Sequence, residues 1–224
     1  MGEVLSRDVP LQPGQSALLI IDVQNFCAHR DGTEFKAMDR AAFDKKMGYY
    51  FDRLETTAVP NMQRLQAACR DAGVEVLFTT IESLTLDGRD RSLDYKITGF
   101  NVPKGSWDGK VIDAIAPIGD EIVVPKTSSS VFVSTNMDYL LRNLGVRNLV
   151  LCGVFTDQCV ESAVRDACDL GYLVTLVPDA CATLTQERHD NSLRAIKGYC
   201  RQCSADALVG EIAQVFAGKR HRVA

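Results

Sequence analysis

The stretch Leu149-Val150-Leu151-Cys152-Gly153-Val154-Phe155-Thr156-Asp157-Gln158-Cys159-Val160-Glu161 decides how the rest of the chain is read. It opens on an apolar run of the kind a strand buried on both faces requires. A glycine turn follows, and then a cysteine where a new helix begins. Backbone N–H groups at a helix start lack carbonyl partners. A thiol there feels a positive field that favours the thiolate, and the same free donors can hold an oxyanion. The segment therefore predicts a buried parallel strand that delivers a nucleophile at its carboxyl end.

Outward from this stretch the same alternation repeats. Ala17-Leu18-Leu19-Ile20-Ile21-Asp22-Val23 is an apolar run ending in a carboxylate, as expected of a central strand. Val74–Thr80, Glu121–Pro125 and Tyr172–Val177 read as further strands, with a short one around Tyr199–Cys203. Helices are expected over Asn61–Ala72 (closed by Gly73), Asn136–Leu144 (closed by Gly145), Cys159–Leu170, Gln186–Lys197, and from Ser204 onward. Strand and helix in alternation predict an α/β fold, a parallel sheet with helices on both faces. No repeat or linker interrupts the pattern, so residues 1–224 read as a single domain. Two stretches carry no clean period. Phe26–Thr57 is polar and dotted with aromatics, partly helical, and long enough to fold over a site. Ile81–Gly109 holds Tyr95, Phe100 and the only tryptophan, Trp107, and reads as an ordered functional loop.

With 224 residues, a net charge of −4 and charges of both signs interspersed, the chain points away from nucleic acid and from anionic membranes. No apolar run approaches a membrane span, and the first residues lack a signal-peptide core. Eight cysteines without a secretion signal read as reduced thiols, which predicts a cytoplasmic protein. Gly2 followed by Ser6 fits the N-myristoylation pattern, a short pattern that chance often produces. Cys200-Arg201-Gln202-Cys203 has zinc or redox spacing. No second pair accompanies it, and positions three apart on a strand face opposite ways. A thiol redox protein using that pair is nevertheless one alternative reading. His189, within Gln186-Glu187-Arg188-His189-Asp190, reads as solvated, and Tyr49-Tyr50-Phe51 as an apolar surface suited to a subunit interface.

In open parallel sheets, sites form beyond the carboxyl ends of the strands. Asp22, Lys126 and the Gly153–Cys159 turn all fall at such ends. Singly, each has an ordinary explanation: a turn-forming carboxylate, a surface lysine, a packed thiol. Their shared location raises all three together.

Asp22-Val23-Gln24-Asn25, Lys126 after its strand, and Gly153-Val154-Phe155-Thr156-Asp157-Gln158-Cys159-Val160 resemble the isochorismatase-like cysteine hydrolase superfamily. Gly105-Ser106-Trp107 and Ile115-Ala116-Pro117 resemble it too, and the likeness runs from Ala17 to the C-terminal helix. The resemblance implies a six-stranded parallel sheet in a three-layer α/β/α arrangement. It also implies a catalytic triad of Asp22, Lys126 and Cys159, no cofactor, and a homo-oligomer, dimer or tetramer. It further implies a cis Val154–Phe155 bond that aims the Phe155 and Cys159 N–H groups into an oxyanion hole. Residue chemistry supplies the roles. Asp22 takes the thiol proton and later activates water, Lys126 holds positive charge beside the sulfur, and Cys159 attacks a carbonyl.

Metal-dependent nicotinamidases of this family place a histidine after the second strand, where this chain has Ile81-Glu82-Ser83-Leu84. That disfavours nicotinamide and any metal site. The presence of Cys159 disfavours isochorismate. A small linear ureide such as biuret, triuret or ureidoacrylate is the expected substrate, with ammonia or an amine released. Maleamate- or carbamoylsarcosine-type amides are the alternative, and a silent binding member of the fold is the non-enzyme reading. Glu82 is expected to accept the donors of a ureide. Gln158, Phe26, Tyr95, Phe100 and Trp107 are expected to complete a small polar pocket under an aromatic lid. Family members often carry an aromatic residue five positions after the aspartate. Here that place is Cys27, and the aromatic, Phe26, comes one earlier.

Overall fold

Parallel strands in the order β3-β2-β1-β4-β5-β6 build the core of the molecule. They are β1 (Ser16–Ile21), β2 (Glu75–Ile81), β3 (Val123–Lys126), β4 (Asn148–Val154), β5 (Leu173–Ala182) and β6 (Arg201–Gln202). This is a computed structural model, and it describes residues 6–217; Gly2 with its acylation pattern and His221 lie outside them. The helices are α1 (Asn25–Ala28), α2 (Arg40–Arg53), α3 (Val59–Ala72), α4 (Leu93–Thr98), α5 (Val131–Ser134), α6 (Met137–Asn143), α7 (Glu161–Asp169), α8 (Gln186–Ile196) and α9 (Ala205–Val215). Among the described residues no helix is long and apolar enough to cross a membrane.

Every residue of β1 and β4 is buried, which explains why both read as unbroken apolar runs. Helices cover the sheet in a three-layer α/β/α arrangement. One group centres on α3, packed on α9 and on β1, β2 and β5; another centres on α7, packed on α5, α8 and β5. The chain leaves β1 toward β2 on one side and returns to β4 on the other, so the strand order reverses between β1 and β4. That reversal opens a crevice at the strands' carboxyl ends. Gly153 makes the closure there possible. It pairs with Ile21 at φ 127°, and a Cβ would lie 2.2 Å from the Ile21 carbonyl oxygen.

The third strand starts two residues later than expected because Glu121 is drawn into an ion pair with Arg70 at 2.8 Å, before the ladder begins. β3 is an edge strand, where Pro125 costs no ladder hydrogen bond on its outer side. Tyr49-Tyr50-Phe51 is not a surface. Tyr50 and Phe51 lie on the inner face of α2 with 0% exposure, and the Tyr49 hydroxyl bonds Gln186. The segment reads as apolar surface only until helical spacing turns it inward. The pair Cys200 and Cys203 brackets the two-residue β6 as free thiols, Cys200 directed at the Ile196 carbonyl.

Candidate active site

The chain leaves β1 through Asp22, whose backbone takes the left-handed conformation at φ 56°. Two contacts from β2 hold it there. Its N–H donates to the Thr79 carbonyl at 3.0 Å, and the Thr79 hydroxyl donates to Oδ1 at 2.7 Å. Gln24 ties the same two strand ends together. Its amide donates to the carbonyls of Ile81 (2.8 Å) and Asp108 (2.9 Å), and its oxygen accepts from the Ile81 N–H. Asp22 is thus a buried carboxylate with Oδ1 already committed. Oδ2 faces Lys126 Nζ at 2.8 Å but lacks a well-aligned donor, which leaves a lone pair where a proton can arrive.

Lys126 reaches inward from the end of β3 and is itself 1% exposed. Its ammonium donates to the Tyr95 hydroxyl (3.1 Å) and the Ser128 carbonyl (2.8 Å), and lies 3.4 Å from Cys159 Sγ. Burial works against the charge. Asp22, Cys159 and Tyr95 outweigh it and hold the lysine above its ordinary value, so it stays an ammonium.

Cys159 sits in a single π-helical turn, Thr156–Val160, that leads into α7. Burial pushes its thiol up to about 12, against the pull of Lys126, while the negative charge of Asp22 pushes it further. This corrects the sequence expectation of a thiolate favoured by the helix start. A terminal field is worth a fraction of a charge, and full desolvation of the sulfur exceeds it. The resting site therefore holds a neutral thiol beside the Asp22 carboxylate and flanked by an ammonium. The Val154–Phe155 peptide bond is cis.

Asp22, Lys126 and Cys159, from the ends of three strands, thus meet within hydrogen-bonding reach. The other expected residues divide. Tyr95 is buried at 1% exposure with its hydroxyl 3.8 Å from Cys159 Sγ, so it packs with these three residues. Phe100 packs on Tyr95 (centroids 5.5 Å) and edge-on against Phe26 (5.7 Å), and the three form one aromatic wall. Trp107 stands apart, 47% exposed and edge-on to His29. Glu82 turns to its own loop: Oε1 accepts the Gly105 N–H at 3.2 Å, and Oε2 lies against Gly109. Gln158 is half-buried on the turn that bears Cys159. Cys27 does approach the site, with Sγ 3.2 Å from the Asp22 carbonyl, and burial raises its thiol well above the ordinary value.

A cleft of about 430 Å³ opens beside Phe100 and Phe155, lined also by Glu34, Met47, Lys45, Lys46 and Arg188. Glu34 carries no motif and gave no signal in the sequence.

His189 is not solvated. It is 2% exposed, on the face of α8 that also buries Ser192 and Ile196, while the polar neighbours that suggested solvent occupy the other face. Arg53 Nη2 lies 2.9 Å from Nε2, and the Thr156 hydroxyl 2.9 Å from Nδ1. A guanidinium only donates, so Nε2 accepts and Nδ1–H donates to Thr156. Burial first, then Arg53, lower this histidine to about 4. Ser192 completes the support, its single O–H shared between the Glu161 carboxylate at 2.7 Å and the Thr156 carbonyl at 3.2 Å. The turn bearing Cys159 is thus clamped from behind.

Comparison with known proteins points to one family. Residues 16–207 match the model of the isochorismatase domain. The chain is 32% identical over 188 residues to the ureidoacrylate amidohydrolase RutB of Rhizobium rhizogenes, covering 77% of this chain and 72% of that protein. It is 30% identical to the RutB of Acinetobacter baylyi, over 88% of this chain and 84% of that one. Among solved structures, a cysteine hydrolase from Pseudomonas syringae pv. phaseolicola superposes with a TM-score of 0.78 at 23% identity, covering 96% of this chain and all 100% of that one. The N-carbamoylsarcosine amidase of Thermoplasma acidophilum gives 0.64 at 26% identity, covering 86% and 97%. With the match spanning most of its length, this chain belongs to the isochorismatase family of hydrolases.

Proposed function

We propose that the chain is a cysteine-dependent amidohydrolase that cleaves a C–N bond of a small linear ureide or amide carrying a carboxylate. The observation that carries this reading is the buried contact set of Asp22, Lys126 and Cys159: one ammonium 2.8 Å from the carboxylate and 3.4 Å from the sulfur. In the first step the thiol proton passes to Asp22 as Sγ bonds to the substrate carbonyl carbon. The oxygen takes the electron pair, facing the N–H groups of Phe155 and Cys159. Collapse breaks the C–N bond, and the departing nitrogen takes the proton from Asp22. Water, deprotonated by the same carboxylate, then attacks the acyl- or carbamoyl-thioenzyme and releases the thiol. Lys126 stays protonated throughout and stabilises negative charge on sulfur.

Two observations bear on the substrate. The relatives named above as ureidoacrylate amidohydrolases support a ureide. At the cleft mouth Lys45 and Lys46 project from α2, suited to a carboxylate. This shifts the preference from the neutral biuret and triuret toward a carboxylated ureide such as ureidoacrylate. The same lysines keep maleamate-type and carbamoylsarcosine-type amides as the second reading. The test is ammonia release across ureidoacrylate, biuret, triuret, maleamate and nicotinamide, with mass spectrometry of the quenched enzyme. Turnover with a covalent adduct on Cys159, lost in Cys159→Ser, is expected. Activity that survives Cys159→Ser would sink the reading.

A further inference from the structure

Among the described residues Glu34 is the one acid lining the cleft, and its place is fixed from three sides. Before it, Gly32 packs so closely on α1 that a Cβ would lie 2.2 Å from the Phe26 carbonyl oxygen. Next to it, the N–H and hydroxyl of Thr33 both donate to the Asp108 carboxylate, at 3.2 and 2.5 Å. After it, the Phe35 ring packs edge-on against Phe43 and Phe51 at 5.5 and 5.3 Å. A solvated loop acid needs no such support.

The carboxyl itself is left to one influence. Burial raises Glu34 to about 7, and no hydrogen bond or cation contributes a lowering. Lys45, Lys46 and Arg188 share the cleft without pairing with it, and Arg188 is bonded instead to Asp157. Around it the cleft is lined mainly by the apolar Phe35, Met38, Met47, Phe100, Phe155 and Leu184, and the hydroxyl of Thr185, which also lines it, already accepts the Arg188 N–H at 3.1 Å. A half-buried carboxyl in apolar surroundings is unfavourable until N–H donors reach it. A ureide brings several.

We propose that Glu34 is a specificity-determining residue whose carboxyl receives the N–H groups of the substrate's ureide. The proposal rests on the amidohydrolase reading and assigns to Glu34 the role that the sequence suggested for Glu82.

The test uses the full chain carrying Cys159→Ser, so that binding is measured without turnover. Calorimetry compares 3-ureidopropionate with glutaramate, its isostere in which one ureide N–H is replaced by a methylene. Adding Glu34→Leu is expected to weaken 3-ureidopropionate about tenfold or more, the loss of a charge-assisted hydrogen bond, and to change glutaramate less than about threefold. Glu34→Gln, which keeps an acceptor oxygen, is expected to recover part of the loss. In the parent chain, binding of the ureide should also tighten as pH rises through about 7 and should not in Glu34→Gln. The other ionisable groups facing Glu34 are Lys45, Lys46 and Arg188 across the cleft and Cys27 and Tyr50 behind it, the last two raised well above their ordinary values by burial.

Equal affinity in Glu34→Leu, or an equal loss for both ligands, overturns the proposal. Wild-type turnover separates it from the reading beneath. A chain that binds the ureide through Glu34 yet hydrolyses no amide sinks the amidohydrolase reading alone. Turnover indifferent to Glu34 sinks this proposal alone.

Discussion

The hydroxyl of Tyr95 accepts a hydrogen bond from Lys126 at 3.1 Å, so α4, otherwise a short helix in a long loop, supplies part of the support of that lysine. Removing that hydroxyl leaves the buried ammonium one acceptor short without emptying the ring's place in the aromatic wall. Tyr95→Phe is expected to lower kcat about tenfold with KM within about twofold, because the ring that lines the wall remains. Steady-state kinetics on the ammonia-releasing substrate checks this. A rise in KM with kcat unchanged would instead make Tyr95 a substrate-binding residue.

Asp22 both raises the Cys159 thiol and is placed to take its proton, and the two roles pull a substitution in opposite directions. Asp22→Asn removes the charge that disfavours thiolate, so alkylation of Cys159 by iodoacetamide near neutral pH should become faster. Turnover should fall about a hundredfold or more, the usual contribution of a positioned general base. Parallel loss of both would mean that the substitution had collapsed the site. Lys126→Met is expected to slow alkylation, since the ammonium is what pulls the thiol down.

His189 is lowered to about 4 in the folded chain, against about 6.5 for a free imidazole. Between those values the unfolded chain binds the extra proton and the folded chain does not. Stability is therefore full above pH 6.5 and lost progressively as pH falls toward 4. His189→Gln, able to accept from Arg53, should flatten that part of the profile, read as Tm against pH. An unchanged slope would show that the acid sensitivity arises elsewhere.

Gly153→Ala places a methyl carbon 2.2 Å from the Ile21 carbonyl oxygen, and at φ 127° no side-chain rotation relieves it. The two central strands would have to separate. A loss of about 3 kcal/mol or more is expected in denaturant unfolding, large for one methyl group. A mild effect would mean that β1 and β4 can part without cost at this end.

The central sheet was legible because burial on both faces leaves one plain mark, the uninterrupted apolar runs Ala17–Ile21 and Leu149–Cys152. Residues placed by their own strand ends, Asp22, Lys126 and Cys159, were legible for the same reason. What stayed hidden depends on partners far along the chain. His189 is buried by Arg53, 136 residues away, and the turn bearing Glu34 is anchored by Asp108, 75 residues from Thr33. No local pattern encodes such contacts. The Cys159 thiol shows the same limit in its electrostatics, since a helix start is visible in sequence while the depth of the site beneath it is not.

Lys126 belongs to the outermost strand on its side of the sheet, four residues long and joined to β2 alone. Its ammonium nevertheless has to span the width of β2 to meet Asp22. The rim of a sheet is where ladders fray first. Warming should therefore peel the ammonium from its carboxylate while the centre of the sheet is still intact. Heat inactivation would then precede unfolding and reverse on cooling, so the thermal ceiling of this enzyme is set at the margin of its structure rather than in its core.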